Sequence, residues 1–187
     1  MTHKQELKKI ASLSQTEQQL SLAGLLSDKF REHDIELTVV GGAAVQFYTN
    51  ADYTTKDLDV ILYDDSKEII EQVMHELGFK RTSTYRHFEH PQFSFVIEFP
   101  PEPIEVGSRY IKKVNVIEMP PYTVRVIQIE DILMDRIIAG VEWKSDVHIE
   151  QAKLLWNKNK DLIDLKYLKQ FAKEEGYTKE LSQLLKD

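Results

Sequence analysis

The sequence predicts an α+β fold: strands and helices mix over residues 1–128, and helices alone follow. Three observations lead there. A strand, a Gly-Gly pair and a helix-compatible run succeed one another over 35–48. Short strand-like runs recur at 57–62 and 93–99. From Glu130 onward the apolar spacing becomes purely helical.

Taken in order, Ser14-Gln15-Thr16-Glu17 has the spacing of a capping box. Leu20, Ala23, Leu26 and Phe30 then recur at three- and four-residue intervals, which predicts a packing helix. Ile35 to Val40 reads as a buried strand ending at Gly41-Gly42, with a helix over Ala43 to Tyr48. Asp57 to Leu62 alternates carboxylate and apolar residues and predicts a second strand. Asp65-Ser66-Lys67-Glu68 can cap a helix through Ile69, Ile70, Val73 and Leu77, with Gly78 as its C-terminal stop. Residues 80–92 are polar and read as irregular. Phe93 to Phe99 alternates strictly and predicts a strand that Pro100-Pro101-Glu102-Pro103 ends. Short strands follow at about 110–118 and 123–128, separated by Pro120-Pro121. Helices follow at about 130–141, 146–157 and 164–175, with a last turn or two to Leu185. The expected division is a core with an N-terminal helix over 1–128 and a C-terminal helical part over 129–187 packed on it.

The 187 residues, 42% hydrophobic, suffice for one core without disulfides or a structural metal. The absence of cysteine excludes thiol nucleophiles, disulfide frameworks and cysteine-based zinc sites, and fits a reducing, cytoplasmic setting. No run approaches the ~18 apolar residues of a membrane helix, and the first ten residues lack the apolar stretch of a signal peptide. Net charge is −7, and residues 1–142 carry 15 basic and 23 acidic side chains. Such a balance disfavours duplex DNA, whose phosphates need clustered Lys and Arg. A local excess of +3 over 107–127, from Arg109, Lys112, Lys113 and Arg125 against Glu118, is a small acceptor-side candidate.

Three segments carry chemistry together. Paired glycines between a strand and a helix let a ligand approach backbone N–H groups and the positive helix end, an arrangement suited to phosphate. In Thr54-Thr55-Lys56-Asp57-Leu58-Asp59, residues two apart share a strand face, so Asp57 and Asp59 project together. Paired carboxylates repel unless a cation lies between them, and oxygen ligands suit a hard divalent ion, Mg2+ with Mn2+ as an alternative. Glu98 faces away from Phe93, Phe95, Ile97 and Phe99 and could complete a three-carboxylate site and take a proton from an attacking hydroxyl, with Glu105 as its rival. Lys56 reads as a local neutraliser. His87 and His90 lack the helical spacing of a zinc site. Tyr85, Phe88, Trp143 and Trp156 could stack on a base but read first as core.

These residues resemble the DNA polymerase β-like nucleotidyltransferase superfamily, whose signature is a Gly-Gly or Gly-Ser turn, Asp-x-Asp and a third acid on a later strand. More narrowly, Gly41 to Val45, Thr54 to Asp59, Phe99-Pro100-Pro101 with Val106-Gly107, Glu130 to Arg136, Trp143 and Glu150-Gln151-Ala152 look like an uncharacterised bacterial branch related to abortive-infection nucleotidyltransferase toxins. The resemblance covers roughly residues 20–180 and implies a nucleotidyltransferase-type mixed β-sheet with flanking helices. It implies transfer of a nucleoside monophosphate from an NTP to a hydroxyl, with pyrophosphate released. Asp57, Asp59 and Glu98 would hold Mg2+. Gly41 and Gly42, with Thr55 and Lys56 beside them, would line the triphosphate. Arg136 matches a basic residue that contacts phosphate in the toxins; read from the residues alone, it is equally a surface arginine on an amphipathic helix. The acceptor implied is tRNA, a protein or a small molecule. Two alternatives remain: a non-catalytic nucleotide- or partner-binding module, such as a pseudoenzyme or toxin–antitoxin component, and an antibiotic adenylyltransferase.

Overall fold

The structure is a computed structural model that describes residues 2–63 and 67–186. Helix α1 (His3–Ile10) was not expected. Thr2 caps it reciprocally with Gln5, and Leu7 and Ile10 bury its inner face. Helix α2 (Gln15–Arg31) starts at the expected box, where Glu17 Oε2 accepts from Ser14 N at 3.1 Å and from Ser14 Oγ at 2.6 Å. Strand β1 (Glu36–Val39) leads into α3 (Gly41–Tyr48), which takes in both glycines, and β2 (Asp57–Tyr63) follows. Helix α4 (Lys67–Glu76) ends at Gly78, whose φ of +83° lets Phe79 N return to Met74 O at 2.9 Å. The expected cap at Asp65 and Ser66 lies outside the described residues.

Two expectations need correction. The segment 80–92 is not irregular throughout, because β3 (Lys80–Arg81) and β4 (His87–Glu89) form a short hairpin. The run 93–99 is a strand only over β5 (Val96–Glu98); residues 93–95 keep Phe93 and Phe95 buried but pair with no strand among the described residues. A ribbon of β6 (Glu105–Val106) and β7 (Arg109–Tyr110) precedes the hairpin of β8 (Val114–Met119) and β9 (Tyr122–Ile127), with Pro120-Pro121 at its turn. The chain ends in α5 (Ile129–Glu142), α6 (Asp146–Asn159), α7 (Leu165–Glu175) and α8 (Thr178–Leu184), close to the expected ranges.

The main sheet has seven strands in the order β3-β4-β5-β2-β1-β9-β8, mixed as expected: β1 pairs antiparallel with β2 and parallel with β9, and β2 pairs parallel with β5. Helix α2 packs on β1 and β9, and α3 bridges β2 to α5 and α6. One apolar cluster runs from Leu7 through Leu58, Val60, Ile97 and Val126 to Leu155, Phe171 and Leu184, so sheet and C-terminal helices share a core. This topology places the end of β1, the start of α3, the start of β2 and β5 side by side.

Candidate active site

The site is built on the end of β1. Gly41 has φ +56°, which a side chain rarely tolerates, and a Cβ there would collide with the Asp59 carboxylate. The second glycine gives close packing: a Cβ on Gly42 would come 3.0 Å from Thr55 Oγ1, and Thr55 would have to give way by a few tenths of an ångström. With both glycines bare, Gly42 N donates to Asp59 Oδ2 at 3.0 Å and Val40 N donates to Asp59 O at 3.0 Å. The glycine pair therefore seats a carboxylate directly on the N-terminal turn of α3.

Asp57 and Asp59 are half-buried on one face of β2, while Leu58 and Val60 fill the core behind. Glu98 is the register partner of Asp59 across β2 and β5, and Asp57 is paired with Val96. Burial pushes the Asp59 carboxyl up to about 6, with the Glu98 and Asp57 charges adding to the rise; the Gly42 N–H and the Arg136 guanidinium act against it. Three carboxylates thus act on one locus. Glu98 also stands 3.4 Å from His87 Nε2, its register partner on β4. Among the described residues, no three His, Asp or Glu side chains are close enough together to hold an ion. The donor chemistry, carboxylate oxygens alone, is that of a hard divalent cation, and Asp59 is raised mainly by burial with the like charges of Glu98 and Asp57 adding to it.

Neutral amides brace the acid strand from behind. Gln15 Nε2 donates to Thr55 O at 2.8 Å, and Gln19 Nε2 donates to Thr55 O at 3.3 Å and to Asp57 O at 3.5 Å. Gln46 Oε1 accepts from Thr55 N at 2.8 Å, and Gln46 Nε2 donates to Gln19 Oε1 at 2.6 Å and Thr16 Oγ1 at 3.1 Å. Thr55 Oγ1 accepts from Asp57 N at 3.3 Å. Gln19 and Gln46 are buried, and each spends its amide on this bracing.

Arg136 is no loose surface arginine. Its side chain is 13% exposed, with Nε donating to Asp135 Oδ2 at 2.8 Å and Nη1 to Gln151 Oε1 at 3.1 Å. Held this way on α5, it carries a fixed positive charge that Asp59 feels. Lys56 is exposed, and its carbonyl accepts from Val96 N at 3.1 Å, tying β2 to β5. Glu105 is exposed on β6.

Sequence reasoning missed Gln19 and Gln46, and weighed His87 only as a zinc ligand. The two glutamines stand out only as polar residues on otherwise apolar helix faces, and His87 acquires its place through the unexpected β4. Of the aromatic candidates, Phe88 and Trp156 are core, but Tyr85 and Trp143 are exposed, contrary to expectation. The +3 segment is partly neutralised: Arg109 pairs with Glu174 and stacks 4.0 Å from the Phe171 ring centroid, and Arg125 meets Glu36 at 3.3 Å.

Comparison with known protein families decides the relationship. Residues 20–174 match the family described as nucleotidyl transferase of unknown function (DUF2204). The chain belongs to that family. Solved structures agree with the DUF2204 assignment at the level of fold. The antigenic nucleotidyltransferase-like protein from Paracoccidioides brasiliensis superposes with TM-score 0.58 at 15% identity, over 90% of this chain and 92% of that one. The antibiotic-resistance factor ANT(2'')-Ia gives 0.52 at 15% identity in its solution structure, over 83% and 91% of the two chains. In the crystal structure of its complex with adenylyl-2''-tobramycin it gives 0.55 at 16%, over 84% and 97%. No curated protein matches in sequence. Among the described residues, no helix is long and apolar enough to cross a membrane.

Proposed function

We propose that this DUF2204 nucleotidyl transferase moves a nucleoside monophosphate from an NTP to an acceptor hydroxyl. The observation that carries the reading is the seating of Asp59 on Gly42 N, beside Asp57 and opposite Glu98, because it places an anionic cleft and a helix N-terminus at one point. Gly41, Gly42 and Thr55 line the triphosphate, and Arg136 supplies a fixed guanidinium to its oxygens. Asp57 and Asp59, with Glu98, would hold Mg2+ or Mn2+, which would supply neutralisation of the charge on the triphosphate and on the leaving pyrophosphate. Glu98 accepts the acceptor's proton as its oxygen bonds to the α-phosphorus and the bond to the pyrophosphate oxygen breaks. His87 Nε2, 3.4 Å from Glu98 Oε2, helps to position that carboxylate.

A small cationic acceptor has support from two sides: the fold likeness to ANT(2'')-Ia, and the acidic balance of residues 1–142, which favours approach of a polyamine-like substrate. RNA and protein hydroxyls are the other acceptor classes.

The test is incubation with Mg2+, each labelled NTP in turn, and cell extract, a protein mixture or an aminoglycoside panel. Asp57→Ala/Asp59→Ala is expected to lower label transfer by 100-fold or more while retaining the wild-type circular dichroism, on the order of the loss from removing essential charged groups. Equal transfer by both proteins, or none by either with any nucleotide, defeats the reading.

A further inference from the structure

The sheet face that carries the aspartates also carries a groove of about 500 Å³, at a different place. Its floor is Tyr63 on β2, Glu36 on β1 and Arg125 on β9. Tyr63 is the register partner of Glu36, and with Val39 paired to Val126, Arg125 stands beside Thr38, two residues along β1 from Glu36. Tyr63 follows Asp59 by four residues, so it shares that residue's face and lies about 13 Å further along the strand. The wall is Pro103, ahead of the β6–β7 ribbon, with Tyr110, Ile111 and Lys112 at its end.

The floor holds polar groups that the fold leaves unused. Arg125 sits between Val124 and Val126, which are fully buried on the opposite face. Its Nη1 donates to Glu36 Oε2 at a long 3.3 Å, and its Nε is sealed from water with no hydrogen-bond partner among the described residues. Thr38 Oγ1, on the neighbouring strand, is likewise buried and unpartnered. Buried polar groups without partners cost stability, so a guanidinium kept here points to a use outside the fold. Lys112 is exposed and has no ion-pair partner among the described residues. The remaining lining is apolar or aromatic, and Tyr110 leaves 64% of its surface exposed. Val116, the register partner of Arg125 on the edge strand β8, extends the same face and is also exposed.

We propose that this groove is a second small-molecule site, separate from the nucleotide cleft, and that it takes an aromatic monocarboxylate. The aromatic body lies against Tyr63, Tyr110, Pro103 and Ile111, and the carboxylate accepts from the Arg125 guanidinium and from Lys112 Nζ. The charge of the lining selects a monoanion: Arg125 and Lys112 against Glu36 leave one positive charge, whereas a phosphate dianion would bring surplus negative charge beside Glu36. The volume lies in the ordinary range for small-molecule sites. This site does not depend on nucleotidyl transfer and is tested without it.

Benzoate, cinnamate and naphthoate, each beside its uncharged amide, are titrated into the full chain by calorimetry, with inorganic phosphate as a probe of charge alone. At least one acid is expected to bind saturably with one site per chain, about tenfold or more tighter than its amide, and phosphate is expected to give no saturable binding. Arg125→Gln should bring the acid down to the affinity of the amide and leave the amide unchanged, while Tyr110→Ala weakens both. Lys112→Gln, at an exposed side chain, gives a second reading of the charge contact should Arg125→Gln fail to fold, and is expected to weaken the acid and spare the amide. The proposal is overturned if no acid binds, if acid and amide bind equally, if phosphate binds as well as the acids, or if Lys112→Gln and a folded Arg125→Gln leave the acid's affinity unchanged.

Discussion

At the scale of single residues, the site depends on what Gly41 lacks. With φ at +56° and the Asp59 carboxylate where a side chain would go, Gly41→Ala meets both backbone strain and a collision. The left-handed conformation alone costs about 1–2 kcal/mol. A Tm lowered by about 4 °C or more is expected by differential scanning calorimetry, together with loss of NTP binding because Asp59 must leave Gly42 N. A variant with wild-type Tm and affinity would show that the contact between helix and carboxylate is dispensable.

At the scale of elements, the acid strand is positioned by buried amide side chains on helices α2 and α3. Gln46 on α3 accepts from Thr55 N and donates to Gln19 on α2, so Gln46→Leu leaves a backbone donor and the Gln19 carbonyl unpaired. The expected cost is about 1–3 kcal/mol in chemical unfolding, with a fall in kcat larger than any change in KM, since the carboxylates shift while the glycine cradle stays. This bracing also marks the limit of what the sequence shows. The Gly-Gly pair, the Asp-x-Asp strand, the capping box at Ser14 and the stop at Gly78 are legible because each depends on spacing within a few residues. Gln19 and Gln46 are separated from Thr55 by 36 and 9 positions, so their partners exist only after α2, α3 and β2 have packed. The β3–β4 hairpin was hidden for a related reason. Its strands are two and three residues long and are held by pairing to β5 rather than by a hydrophobic pattern of their own.

For the whole molecule, the shared core predicts that the first 128 residues alone do not fold. Ile132, Leu133, Met134, Leu155 and Phe171 are buried in the same cluster as the strands, and removing them bares the sheet. A 1–128 fragment should aggregate or unfold without a cooperative transition; a sharp transition would show an independent domain. A second global consequence concerns pH. Burial raises the Asp131 carboxyl, at the start of α5, to about 6 against the Tyr167 hydroxyl that donates to it at 2.6 Å. Between about pH 4 and 6 the folded chain keeps a proton that the unfolded chain has lost, so stability falls as pH rises through that window, by at most about 3 kcal/mol. In Asp131→Asn that fall should flatten, read as a smaller change in Tm between pH 4.5 and 7; an unchanged slope would assign it to other groups. The glutamine frame behind Thr55 and Asp57 behaves differently from every carboxylate it supports. Carboxamides neither gain nor lose protons and carry no net charge for salt to screen. The scaffold under the aspartates is therefore indifferent to acidity and ionic strength, and the charges in front of it can be loaded, neutralised and recharged without the floor beneath them moving.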